Sequence, residues 1–174
     1  ILKRLSLNPI EEDDFIDEDL NFKKYINQIV NSFEETSNKK FILNFDQDAS
    51  PRKIPKSIEI IYGLRNFIGN ANKFAKEKIF ITLKSNNEYT EITIEDDGEG
   101  YPGEILSKIG EPYLRSLKNK DKNQSGLGLG IFIGKNLLEK NFAFLNCQNS
   151  KTRTGAEVNI CLLYTSPSPR DGIG

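Results

Sequence analysis

Between residues 57 and 96 the apolar residues change their period once, and that change constrains the fold more than any other feature. Ile61, Leu64, Ile68, Ala71 and Ala75 recur at 3-4-3-4 spacing, which makes one stripe along a helix. Ile79, Ile81 and Leu83, then Ile92 and Ile94, alternate instead, so each of two strands has a single core face. Ser85-Asn86-Asn87-Glu88 joins those strands as a hairpin, and Ser57 stands where the helix needs an N-cap. A one-sided helix followed by a one-sided hairpin has to pack helix on sheet.

Similar elements flank this unit. Phe22, Ile26, Ile29 and Phe33 predict a helix from an Asp19 cap to about Asn38. Phe41 to Phe45 reads as a strand and Ala49 to Pro55 as a Pro-containing turn. Glu104 to Ile109 reads as a short helix, and Glu111 to Gln124, polar and without period, as a mobile loop. Leu127 to Lys140 is a helix entered through glycines; Ala143 to Gln148 and Ala156 to Leu162 complete the sheet. The expected fold is an α/β two-layer sandwich, a mixed and mostly antiparallel sheet covered on one face by three helices. Residues 1–18 read as a helix end, Ile1 to Leu7, stopped by Asn8-Pro9 and followed by an acidic linker. Residues 19–162 form the folded domain. Residues 163–174 carry no packing pattern and resemble adapter read-through.

Composition excludes whole classes of chemistry. The 174 residues contain no histidine, which rules out His-ligated zinc, Ser-His-Asp and Cys-His catalysis, and any histidine phosphoacceptor on this chain. Cys147 and Cys161 match no metal spacing and read as reduced, buried thiols. Twenty-four basic against twenty-five acidic residues leave a net charge of -1, which argues for neither nucleic acid nor a membrane surface. No apolar run approaches the ~20 residues of a membrane span. Without a starting Met, the chain reads as a fragment.

Three segments carry the chemistry. Asp96-Asp97-Gly98-Glu99-Gly100 closes the hairpin's second strand. Its glycines let backbone approach a flat ligand, and a carboxylate at Asp96 can accept a hydrogen bond from an exocyclic amine such as that of adenine. Gly126-Leu127-Gly128-Leu129-Gly130 opens a helix, whose free N–H groups favour anions. Asn66, Asn70 and Lys73 fall opposite the apolar stripe at ~100° per residue. There an Asn oxygen can join phosphate oxygens around Mg²⁺, and a lysine can meet phosphate charge. Phe67 and Phe74 flank this polar stripe and are expected to cover part of it. Singly, each segment has a plainer reading: a tight turn, a hinge, a solvated helix face. Their order and spacing point to one pocket.

In that order the segments resemble the N, G1 and G2 boxes of the Bergerat-fold ATPase and kinase superfamily, specifically histidine-kinase catalytic domains. Gly110-Glu111-Pro112-Tyr113 falls where those kinases begin their ATP lid. Leu5-Ser6 after a leading helix, Tyr62-Gly63-Leu64, Gly-Glu-Pro-Tyr and the run from Gly126 to Lys135 are similar to the RegB/PrrB branch of redox-responsive bacterial sensor kinases. The resemblance implies Asn70 as Mg²⁺ ligand supported by Asn66, and Lys73 on phosphate. It implies Asp96 on the adenine amine, Gly98 and Gly100 along the base, and the 126–130 segment around the triphosphate. Water-activating members carry Glu four residues before the Mg²⁺ Asn. That position is Asn66 here, which cannot act as a base at neutral pH, so transfer is favoured over hydrolysis.

Two departures stand out. Ala156 follows Gly155 where many such kinases have Thr, and the phosphoaccepting histidine is absent. The resemblance therefore implies ATP and Mg²⁺ as cofactors and an upstream dimerisation domain that carries the histidine. It further implies a cognate response regulator, a homodimeric and membrane-anchored parent with this domain in the cytoplasm, and no nucleic-acid partner. A standalone serine kinase of the anti-sigma type, or a non-catalytic nucleotide-binding module, would use the same residues.

Overall fold

A computed structural model of the chain describes residues 22–46, 57–109 and 127–163. Segment 1–18, the Asp19 cap, the turn at 49–55, the loop at 111–124, Gly126 and the tail from 164 onward lie outside the described residues. In chain order the elements are α1 (Phe22–Glu34), β1 (Lys40–Phe45), α2 (Ile58–Phe74), β2 (Lys78–Ser85) and β3 (Tyr89–Asp96). They continue with α3 (Gly103–Ile109), α4 (Leu127–Glu139), β4 (Ala143–Asn149) and β5 (Ala156–Leu163).

Periodicity located these elements closely, and side-chain contacts explain where the ends differ. The first helix stops at Glu34 instead of about Asn38. Beyond it Ser37 donates to Asn72 Oδ1 at 2.6 Å, which turns the chain toward β1. Ser57 caps α2: its hydroxyl accepts from the Ile60 amide at 3.3 Å. At the other end Leu163, assigned from sequence to the tail, pairs with Tyr89 as the last residue of β5.

The strands lie in the order β1-β2-β3-β5-β4. The β1–β2 pair is parallel and all others are antiparallel. On one face Ile79, Ile81 and Leu83 line up with Ile94 and Ile92, and these with Val158 and Ile160. Helices α1, α2 and α4 pack on that face, against β1, β3 and β4 respectively, and short α3 bridges α4 and β4. Ile26, Leu64, Ile68 and Leu138 are sealed between helices and sheet. Each such side chain removed from water stabilises the fold by about 1.5–3 kcal/mol. The opposite face carries polar pairs, such as Asn159 donating to Thr93 at 2.9 Å, together with the exposed Phe144.

This layering positions the site. Helices α2 and α4 lie side by side, so the end of α2 and the start of α4 meet near the end of β3.

Candidate functional site

Asp96 ends β3 on the inward face, one alternation beyond Ile94, and is only 3% exposed. Both of its hydrogen bonds fall on one oxygen: the amides of Gly98 and Ala156 donate to Oδ1 at 2.8 and 3.3 Å. Burial pushes the carboxyl above its ordinary pKa, while these two N–H groups pull against that. Asp97 nearby adds to the rise and Lys39 opposes it. Held through Oδ1, the carboxylate keeps Oδ2 for a donor brought by a ligand.

A cleft opens beside it. Its walls are mostly apolar: Phe67, Ala71 and Phe74 from α2, and Ile94, Ala156 and Val158 from the sheet. Asn70 and Asp96 supply polar groups, and Gly100 and Tyr101 complete the lining. An apolar slot with a single buried acceptor suits a planar base bearing an exocyclic amine.

The residues expected to line the ligand divide. Gly100 lines the cleft and adopts φ +88°, a conformation that favours glycine. Gly98 is not among the lining residues. A side chain there would overlap the Phe74 carbonyl, so this glycine lets β3 approach the end of α2 while its amide holds Asp96.

The polar face of α2 divides too. Asn70 lines the cleft, and its amide has no hydrogen-bond partner among the described residues. Asn66 lies one turn earlier and outside the lining. Its Nδ2 donates to the Tyr62 carbonyl at 2.8 Å, and its Oδ1 lies 3.8 Å from where a Cβ on Gly130 would be. Lys73 is exposed, with Nζ 5.3 Å from the centroid of the Phe74 ring. The expected cover over this face comes from Phe67 alone, since Phe74 is 41% exposed. Lys39 reaches across from the start of β1 to the carbonyls of Asn72 and Lys73, at 2.5 and 3.2 Å, and satisfies the C-terminal end of α2.

Leu127 and Gly128 open α4, with Leu129 and Gly130 half-buried in its first turn and Gly130 beside Asn66. The unsatisfied N–H groups of such a turn, together with the dipole, suit an anion.

Sequence reasoning passed over Tyr101 and Asn149. The Asn149 side chain clamps the Tyr101 backbone, accepting from its amide at 2.7 Å and donating to its carbonyl at 3.3 Å. Tyr101 also meets Cys147, whose thiol burial pushes up to about 11, so it stays protonated and unreactive at neutral pH. Position 101, directly after the Gly-rich turn, was a legible hint. Asn149 carried no signal, because its role depends on how β4 lies against that turn.

Residues 56–166 match the family described as Histidine kinase-, DNA gyrase B-, and HSP90-like ATPase. The chain belongs to that family. Over 98 residues it is 42% identical to the sensor histidine kinase RegB of Cereibacter sphaeroides, covering 53% of this chain and 21% of RegB. Over 144 residues it is 28% identical to the sensor protein kinase WalK of Staphylococcus epidermidis, covering 79% of this chain and 23% of WalK. The chain thus spans about a fifth of the length of the curated relatives it matches. Among solved structures, the catalytic domain of histidine kinase ThkA superposes with a TM-score of 0.67 at 22% identity, over 84% of this chain and 94% of that one. The mycobacterial sensor histidine kinase MprB gives 0.64 at 17%, over 85% and 97%. The fold is that of histidine-kinase catalytic domains, and the chain is an ATP-binding domain of this kind.

Proposed function

We propose that this domain binds Mg·ATP and presents its γ-phosphoryl group to a histidine on a separate dimerisation domain of a two-component sensor kinase. The observation that carries the reading is the cleft, which brings Asp96 from the sheet and Asn70 from α2 into one lining. Asp96 accepts from the adenine amine. The apolar walls take the faces of the base, and Gly100 and Tyr101 close beside it.

Asn70 suits a Mg²⁺ ion: its amide stands at the cleft with no competing hydrogen bond among the described residues. Bound there, the ion would neutralise charge on the phosphate oxygens. Lys73 lies one turn on, and the first turn of α4 offers backbone N–H groups, so both add positive potential at the phosphate end. Asn66 turns its Nδ2 into its own helix and has no basic atom. An Asn at this position cannot activate water, which favours transfer to a supplied nucleophile over hydrolysis.

Since the chain contains no histidine, the acceptor belongs to another domain or chain. Relatives named sensor histidine kinase and sensor protein kinase support a dimeric parent and a cognate response regulator as the partners. No described helix is long and apolar enough to cross a membrane; the proposed place of this domain is the cytoplasmic side of a membrane-anchored parent.

The test mixes the 174-residue chain with γ-labelled Mg·ATP and a purified histidine-bearing hairpin from a RegB-type kinase. Acid-labile phosphohistidine on the hairpin is expected. Tight ATP binding with no transfer would instead identify a nucleotide-binding regulatory module.

A further inference from the structure

The turn between β4 and β5 is tied to the uncovered face of the sheet by an arrangement the nucleotide cleft does not use. The Arg153 guanidinium lies over the Phe80 ring at 3.5 Å from its centroid, and its Nε is 3.5 Å from Glu95 Oε1. That Nε is buried and makes no hydrogen bond, so stacking and charge hold the group in place. Phe80 and Glu95 are direct cross-strand partners, and Glu95 also faces Glu157 on β5. A cation here therefore offsets two like charges set opposite each other. Ser150 completes the brace: its hydroxyl donates to Glu95 Oε2 at 3.0 Å and accepts from the Arg153 amide at 2.9 Å.

Directly behind this brace, through the sheet, stands Asp96. Glu95 and Asp96 are adjacent on β3 and point to opposite faces. The braced turn ends in Gly155, seated so closely on Asp96 that any side chain there would overlap its carboxylate. It continues into Ala156, whose amide supplies one of the two hydrogen bonds to Oδ1. Thr154 adds a third tie, donating to the Asp97 carbonyl at 3.1 Å.

We infer that Arg153 is a positioning residue for base recognition: by pinning the β4–β5 turn to Phe80 and Glu95, it seats Gly155 and Ala156 on Asp96 and aims that carboxylate into the cleft. The inference rests on the reading of Asp96 as the acceptor for the base amine. Arg153 touches no ligand. Its effect reaches Asp96 through the turn, above all through the Ala156 amide, a charge-assisted hydrogen bond whose loss weakens base binding about tenfold.

The test has a readout that needs no nucleotide. Titration of the Asp96 carboxyl by NMR in the intact chain, with and without Arg153→Ala, reports directly on the Ala156 donor. Loss of a donor to the charged form moves the midpoint to higher pH. Asp97, Lys39 and Tyr101 also act on or adjoin this carboxyl, and none of them is altered by the substitution. Affinity for ATP is expected to fall about tenfold while affinity for inorganic triphosphate is unchanged. Arg153→Lys, which keeps the charge but loses the planar stack, recovers part of both effects. Glu95→Gln removes the ion pair while keeping the side-chain shape, so it carries the same test if Arg153→Ala does not fold. An unmoved Asp96 midpoint in a folded variant overturns the inference, and so does an equal loss for ATP and triphosphate. Wild-type protein that binds triphosphate as well as ATP would instead remove the base-recognition reading, whatever the midpoint does.

Discussion

The two ends of the cleft are built from opposite materials. At the proposed base end, Asp96 is almost fully buried, fixed by two backbone amides and backed by a turn braced on the far side of the sheet. At the proposed phosphate end, Asn70 lines the cleft and Lys73 stands beside it on the same helix face, half-buried and exposed respectively, with no polar partner among the described residues. A neutral, planar base offers little binding energy per contact, so its site benefits from a rigid acceptor with desolvation already complete. A metal-bound triphosphate brings its own charge and can organise flexible, solvated groups around it. Rigidity is concentrated where the ligand is weakly charged.

The comparison can be broken by substitutions at each end. The largest effect is expected at Asn70. Asn70→Ala should lower Mg²⁺-dependent ATP affinity by about 100-fold or more, beyond the loss typical of outer-shell groups, as read by calorimetry with and without Mg²⁺. Unchanged affinity would mean the polar face of α2 is only a solvated surface.

Asp96→Asn comes next. It should weaken ATP by about 10- to 100-fold and leave inorganic triphosphate alone, because only the base end loses its acceptor. Its stability signature has a defined sign. The folded carboxyl titrates above its ordinary value, so the folded state binds the proton more readily than the unfolded state does. Wild-type stability therefore falls as pH rises from the ordinary carboxylate pKa through the raised one. Asp96→Asn removes that fall, so denaturation should show it more stabilising at pH 7 than at pH 3. A pH-independent difference would contradict the burial of this charge.

Smallest is Lys73→Ala, an exposed cation. About a threefold loss of ATP affinity is expected at low salt, vanishing as ionic strength rises toward 1 M. A large, salt-insensitive loss would place the lysine in a dry contact and erase the contrast between the two ends.

Much of this was legible in the residues. The Ser57 cap, the α2 stripe and the hairpin alternation each express a local rule, and each appears where the rule puts it. Asp96 was legible as a strand-end acid, and Asn70 as a polar position opposite the stripe. For Gly98 the need to be small was not legible, since it arises from the Phe74 carbonyl on another element. Helical phase put Phe67 and Phe74 beside the polar stripe but could not show that Phe67 would be buried and Phe74 exposed. Tyr101, Asn149 and Arg153 act through contacts made across long stretches of chain, and no spacing rule reports such contacts.

By itself the sequence determined the kinds of element, the face each strand buries, the absence of a histidine acceptor, and the family-type order of the motifs. Those follow from local sterics, side-chain period and residue chemistry, which need no knowledge of neighbours. The tertiary structure decided which strands are adjacent: β1 parallel to β2, and β5 inserted between β3 and β4. Alternation marks a face but not a partner. Only that strand order carries the amide of Ala156 to the carboxylate of Asp96 and sets Arg153 behind it.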